Sequence, residues 1–91
     1  MTISQGRILL VDDNAEAAQE LRDILSHEGY NVSSARDPQS ARRYFERGSA
    51  DLVLTDLQLP QADGLTFLIE MRTRFPNMPV VLMTANGSLR T

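Results

Sequence analysis

Apolar residues fall in three short unbroken runs, ILLV at 8–11, LVL at 52–54 and VVLM at 80–83. Runs of this length are too short for helices, and their lack of alternation predicts strands buried on both faces, as in a parallel sheet. Residues 30–35 follow a different rule, because Tyr30, Val32 and Ser34 alternate with Asn31 and Ser33. A period of two predicts a half-exposed strand, placed at the edge of the sheet.

Helical patterns with legible ends lie between the strands. Asn14 is placed to cap a helix whose apolar stripe is Ala18, Leu21, Ile24 and Leu25, with Gly29 closing it in the left-handed conformation. Asp37-Pro38 joins an N-cap to a proline at the first helical position; Ala41, Tyr44 and Phe45 supply the buried side and Gly48 ends the helix. Asp63 caps a third helix in which Leu65, Leu68, Ile69 and Arg72 share one face, with Met71 and Phe75 beside it, before Pro76. The order βαβαβαβ predicts an α/β domain: a doubly wound parallel sheet with right-handed crossovers and helices on both faces. Asn86-Gly87 reads as a turn, and Ser88 as the cap of a helix begun by Leu89, Arg90 and Thr91.

Composition narrows the setting. The 91 residues make one small domain, 1–91, with 42% hydrophobic and 23% charged residues and no repeat or low-complexity run. A chain of this size buries only a little over ~60% of its unfolded surface, so its stability margin is thin. With no cysteine, any metal must be held by oxygen or by the single His27. His27 falls near the C-terminal end of the first helix, where a positive charge suits the dipole. Residues 1–7 lack a signal-peptide core and no apolar run reaches the ~20 residues of a membrane helix, so a cytoplasmic protein with no membrane contact is expected. All nine positive charges are arginines, outnumbered by twelve acids and spread through the chain. No basic stripe is available to follow a phosphate backbone, which argues against direct nucleic-acid binding by this segment. Arg42, Arg43 and Arg47 are expected on the solvated side of the second helix, and Tyr44, Phe45, Phe67 and Phe75 in packing roles.

In a doubly wound sheet, ligands bind beyond the carboxyl ends of the strands where strand order reverses. Asp12 and Asp13 directly follow the first strand, Asp56 follows the third and Thr84 follows the fourth. Taken singly, an Asp pair after a strand is more often a helix-entry signal and a lone Asp a turn residue. Jointly placed on consecutive crossovers they point to a site. Three neighbouring carboxylates repel and gain proton affinity unless a cation offsets them. A hard dication held by a few carboxylates and several waters, Mg²⁺ rather than Zn²⁺, is expected. A carboxylate there can attack phosphorus, giving an acyl phosphate, and the Thr84 hydroxyl is placed to bond the new phosphoryl group and report it.

The segments ILLVDDN, LVLTDLQLPQADG and PVVLMTA resemble the receiver domains of bacterial response regulators, over residues 7–84. Such receivers are themselves among the examples behind the strand-order rule used above. The resemblance implies a flavodoxin-like fold and a phosphoacceptor role in two-component signalling. Asp56 becomes the acceptor; Asp13, Asp56 and the backbone carbonyl of Gln58 bind Mg²⁺ directly, and Asp12 acts mainly through water. Pro60 stiffens the loop after the acceptor and Gly64 opens the third helix. The implied phosphodonor is a sensor histidine kinase, a phosphotransfer protein or a small acyl phosphate. The LMTANGS stretch also resembles receivers of nitrogen-regulation-type, enhancer-binding regulators, which implies a transcriptional output.

Receivers of the family continue through most of a fourth helix, a fifth strand ending in a lysine, and a fifth helix. None of these falls within residues 1–91, and the chain has no lysine. The expectation for this sequence as it stands is impaired phosphorylation and a homodimer or higher oligomer through the open edge of the fourth strand. One competing reading is a degenerate or truncated receiver that serves as an assembly or inhibitory module. Another is an enzyme, an aspartyl-phosphate phosphatase of the haloacid dehalogenase type. That family requires a second Asp two residues past the nucleophile, where this chain has Gln58, so a signalling domain that at most catalyses its own phosphorylation and dephosphorylation is preferred.

Overall fold

The computed structural model describes residues 6–48, 50–56, 58–59 and 62–83. In chain order the elements are β1 (Arg7–Val11), α1 (Ala15–His27), β2 (Asn31–Ala35), α2 (Pro38–Arg47), β3 (Leu52–Asp56), β4 (Gln58–Leu59), β5 (Ala62–Asp63), α3 (Gly64–Arg74) and β6 (Val80–Met83). Four strands form a parallel sheet in the order β2-β1-β3-β6, with β2 at its edge as the alternating pattern predicts. The short antiparallel pair β4-β5 lies between β3 and α3 and had no counterpart in the sequence reading.

Alternation along the strands divides the core in two. Ile8, Leu10 and Val32 face one way and gather Ala18, Leu21 and Leu25 of α1 with Leu52, Leu54 and Met83. Leu9, Val11, Ala35 and Val53 face the other way and meet Ala41, Tyr44 and Phe45 of α2 with Phe67 and Met71 of α3. Helices thus cover both faces of the sheet. Phe45 stacks on Phe75 with ring centroids 4.8 Å apart, joining α2 to the end of α3.

Local chemistry fixes the helix starts. The Asn14 side chain accepts the Ala17 N–H at 3.0 Å, and the Asp37 carboxylate accepts the Ser40 N–H at 2.7 Å with Pro38 as the first helical residue. At the end of α1, Gly29 takes φ 102°, as the closing glycine should.

Two helical stripes run differently from the expected ones. On α1, Ile24 is 60% exposed, because at about 100° per residue it lies some 120° around the helix from Ala18. On α3 the buried residues are Gly64, Phe67 and Met71, while Leu65 and Ile69 are exposed on the side of the helix away from Phe67. The fourth-strand run was expected to be buried on both faces; in β6, Val80, Leu82 and Met83 are half-buried and Val81 is exposed. Its two edges differ: β3 pairs on one side, and no strand among the described residues pairs on the other.

The floor of the sheet, at the amino ends of the strands, carries a reciprocal bond. The Arg7 N–H donates to the Asp51 carboxylate at 2.8 Å, and the Asp51 N–H returns to the Arg7 carbonyl at 2.8 Å. Gly6 takes φ 140° beside this pair, and a Cβ there would stand 3.4 Å from the same Asp51 oxygen.

Candidate functional site

At the opposite end of the sheet, β1 and β3 deliver acids to the reversal of strand order. β1 stops at Val11, and the Asp12 N–H donates to the Ala35 carbonyl of β2 at 2.9 Å. This bond holds Asp12 at the rim. Its carboxylate accepts the Asn14 N–H at 3.0 Å, so the turn from β1 into α1 is stitched by the residue that also caps the helix. Asp56 is the last residue of β3 and is only 5% exposed, whereas Asp13 stands open to solvent.

Asp12, Asp13 and Asp56 each offer a carboxylate oxygen, and these oxygens lie within 4.8 Å of one another. Burial pushes the Asp12 carboxyl above the usual carboxylate range; the Asn14 amide opposes the rise, and the charge and hydrogen bond of Asp56, then the charge of Asp13, add to it. Burial is the larger cause, and the part of the rise that comes from Asp56 and Asp13 is repulsion that a bound cation would offset. Oxygen donors alone, with no cysteine in the chain and His27 away in the last turn of α1, suit a hard divalent ion. The donor set therefore fits Mg²⁺. Beside Asp12 and Asp13 a cavity of about 350 Å³ continues between α1 and the end of β2, past Ala18, Arg22, Ser34 and Arg36.

Of the residues expected at the site, the structure brings Asp12, Asp13 and Asp56 together. Gln58 follows at once as the first residue of β4, and Gly64 is the buried first residue of α3. Pro60 and Thr84 lie outside the described residues, as do Ser88 and the helix it was expected to cap. Missed by the sequence reading is Thr55, a fully buried hydroxyl that donates to the Asp56 carbonyl at 3.2 Å. The available signal was a polar residue inside the otherwise apolar run LVLTD. Arg42 is exposed on the solvated side of α2 as expected, and there it also forms an ion pair with Glu70 of α3.

A flavodoxin-like parallel sheet with an acid trio at its switch point defines a receiver-type domain. The chain belongs to the response regulator receiver domain family, whose model matches residues 8–91. It is 40% identical over 88 residues to the alginate biosynthesis transcriptional regulatory protein AlgB of Pseudomonas putida, covering 97% of this chain and 20% of that protein. The chain thus spans about one fifth of the length of the AlgB relatives it matches. Among solved structures it resembles response regulator protein TrrA of Thermotoga maritima in complex with Mg(2+)-BeF, with TM-score 0.83 and 32% identity over 99% of this chain and 75% of that one. NtrX of Brucella abortus gives TM-score 0.85 at 33% identity, over 91% of this chain and 19% of that protein. No helix among the described residues is long and apolar enough to cross a membrane.

Proposed function

We propose that this chain is the phosphoacceptor module of a two-component phosphorelay, with Asp56 as the nucleophile. The observation that carries the reading is the convergence of Asp12, Asp13 and Asp56 within 4.8 Å in a receiver-family sheet. A carboxylate oxygen of Asp56 forms a bond to phosphorus as the bond to the donor's leaving group breaks and the leaving group departs with that electron pair. From an acyl phosphate the products are aspartyl phosphate and the free carboxylate; from a histidine kinase or phosphotransfer protein they are aspartyl phosphate and the freed imidazole.

Asp13, Asp56 and the Gln58 backbone carbonyl would hold Mg²⁺, with Asp12 engaging it through water. The chemistry a bound Mg²⁺ supplies is neutralisation of charge on the transferring phosphoryl oxygens. The Asn14 amide keeps Asp12 facing the site, and the burial of Asp56 shields the nascent acyl phosphate from bulk water. The Thr84 hydroxyl would bond the phosphoryl group, and Pro60 and Gly64 would shape the loop between acceptor and third helix. The domain is read as a signalling module rather than an enzyme acting on a separate substrate. Transcriptional output through a longer polypeptide in the cytoplasm is part of the proposal, supported by relatives such as AlgB.

Incubation with acetyl phosphate and Mg²⁺, followed by mass measurement, tests the reading. One phosphoryl group should appear, be removed by hydroxylamine, and be absent from Asp56→Asn. Undiminished labelling of that variant places the nucleophile elsewhere and sinks the proposal.

A further inference from the structure

Thr55 is the penultimate residue of β3 and is fully buried. In the ladder it stands opposite Val11 of β1 and Leu82 of β6. Side chains alternate along a strand, so Thr55 shares the face of Val53, toward the α2–α3 half of the core, while Asp56 points to the other side with Asp12 and Asp13. The hydroxyl is therefore on the wrong face to touch the acid trio.

Valine has nearly the same shape and would fill this apolar place without a polar group. A hydroxyl buried here carries a desolvation cost unless it is hydrogen-bonded, which is why threonine and valine are not equivalent in a core. The bond it makes is to the carbonyl of Asp56, at 3.2 Å. No buried side-chain nitrogen or oxygen among the described residues is left without a partner, so this hydroxyl is satisfied, and its acceptor is the backbone of Asp56. That carbonyl belongs to the peptide by which the chain leaves Asp56 toward β4, where Gln58 begins the next strand.

We propose that Thr55 is a positioning residue: from the far face of the sheet, its hydroxyl orients the peptide leaving Asp56 and so aligns both the acceptor carboxylate and the Gln58 carbonyl for metal binding and phosphoryl transfer. The inference rests on the reading of Asp56 as acceptor. It differs from a merely structural role, in which the hydroxyl would satisfy itself locally with no effect on chemistry.

Thr55→Val and Thr55→Ser, made in the protein alongside the parent, separate the two. Three quantities are read: the unfolding temperature, the Mg²⁺ affinity by calorimetry, and the rate constant of phosphorylation by acetyl phosphate at saturating Mg²⁺. The valine variant should unfold at or above the parental temperature yet bind Mg²⁺ several-fold more weakly and react roughly tenfold more slowly, short of the ~10²-fold cost of a 1 Å misplacement. The serine variant, lacking a core methyl, should unfold at lower temperature yet keep parental affinity and rate. Stability and chemistry would then rank the variants in opposite orders. Parental affinity and rate in Thr55→Val overturn the proposal, as do losses that simply follow stability in both variants. Absence of Asp56-dependent phosphorylation in the parent would count against the proposed function, and the Mg²⁺ titrations of the two variants would still decide the role of Thr55.

Discussion

Arg42 of α2 and Glu70 of α3 face each other through two hydrogen bonds, Nε to Oε2 and Nη2 to Oε1, each 2.8 Å long. This fork-on-fork geometry is the strong form of a surface ion pair, and Arg74 joins it from the next turn at 3.6 Å. The Arg42 hydrogen bond holds the Glu70 carboxyl below the usual carboxylate range. A depressed carboxylate stabilises the fold above its unfolded pKa of ~4.3, and that stability is lost as the pH falls through the lower folded value. Both partners are partly exposed, so the pair is worth about 0.5–1 kcal/mol. Urea melts of Glu70→Gln should show this loss at neutral pH and converge on the parent in acid below the folded Glu70 value. Arg42→Lys should lose most of the same amount, because an ammonium cannot make the fork.

The raised Asp12 carboxyl has the opposite sign. An acid that holds its proton more tightly when folded costs nothing in strong acid; its cost sets in as the pH rises past the ordinary value of 3.8 and is complete above the raised folded value. Asp12→Asn should therefore stabilise the metal-free domain at neutral pH and leave it unchanged in strong acid. Mg²⁺ at ten times its dissociation constant should add about 1.4 kcal/mol to the parent. Asp13→Asn should respond far less to the same addition. Thermal unfolding with and without Mg²⁺ checks both statements, and an equal Mg²⁺ response in Asp13→Asn and the parent would remove Asp13 from the metal site.

Phe67 and Ile69 sit two residues apart on α3 with opposite fates. Phe67→Ala should cost about 3–5 kcal/mol, as for a buried aromatic truncated in a packed core. Ile69, 56% exposed, should tolerate alanine within about 0.5 kcal/mol. Denaturant midpoints of the two variants would show the contrast directly; equal losses would mean that α3 is rotated from the orientation described.

Asn14 both caps α1 and lends its amide to Asp12. Removing the side chain in Asn14→Ala should cost about 1 kcal/mol through the lost cap. The Asn14 backbone amide persists in that variant, so Mg²⁺ affinity should change little. A large loss of affinity, measured by calorimetry, would give the Asn14 side chain a role at the acids that the cap does not explain.

The four strands of the main sheet and the starts of α1 and α2 were legible because their signals are local. Asn14 and Asp37 cap helices through bonds spanning three residues, and unalternated runs such as ILLV have few ways to hide except as buried strands. The acid trio was legible for a related reason: each Asp sits at the end of a strand, and the parallel topology alone brings those ends together. The phase of the α3 stripe was not legible, since Leu65 and Ile69 are as apolar as Phe67, and only docking against the sheet decides which side is covered. Arg42 and Glu70 are 28 residues apart and carry no sequence mark of their pairing. The role of Thr84 rests on the sequence alone, because it lies outside the described residues.

The reciprocal bonds between Arg7 and Asp51 acquire meaning at the other end of the same strands. From Arg7 to Asp12 is five residues, roughly 17 Å of extended chain. Along that span β1 and β3 keep step pair by pair, Ile8 with Leu52 and onward to Val11 with Thr55. A slip of one residue would turn every side chain of β1 over, carrying Asp12 to the α2–α3 side and Asp13 into its place. The paired bonds between Arg7 and Asp51 thus act as a gauge block: they set the zero from which the separation of the acids at the rim is measured. An insertion within β1 would leave each acid intact in sequence while dissolving the trio in space.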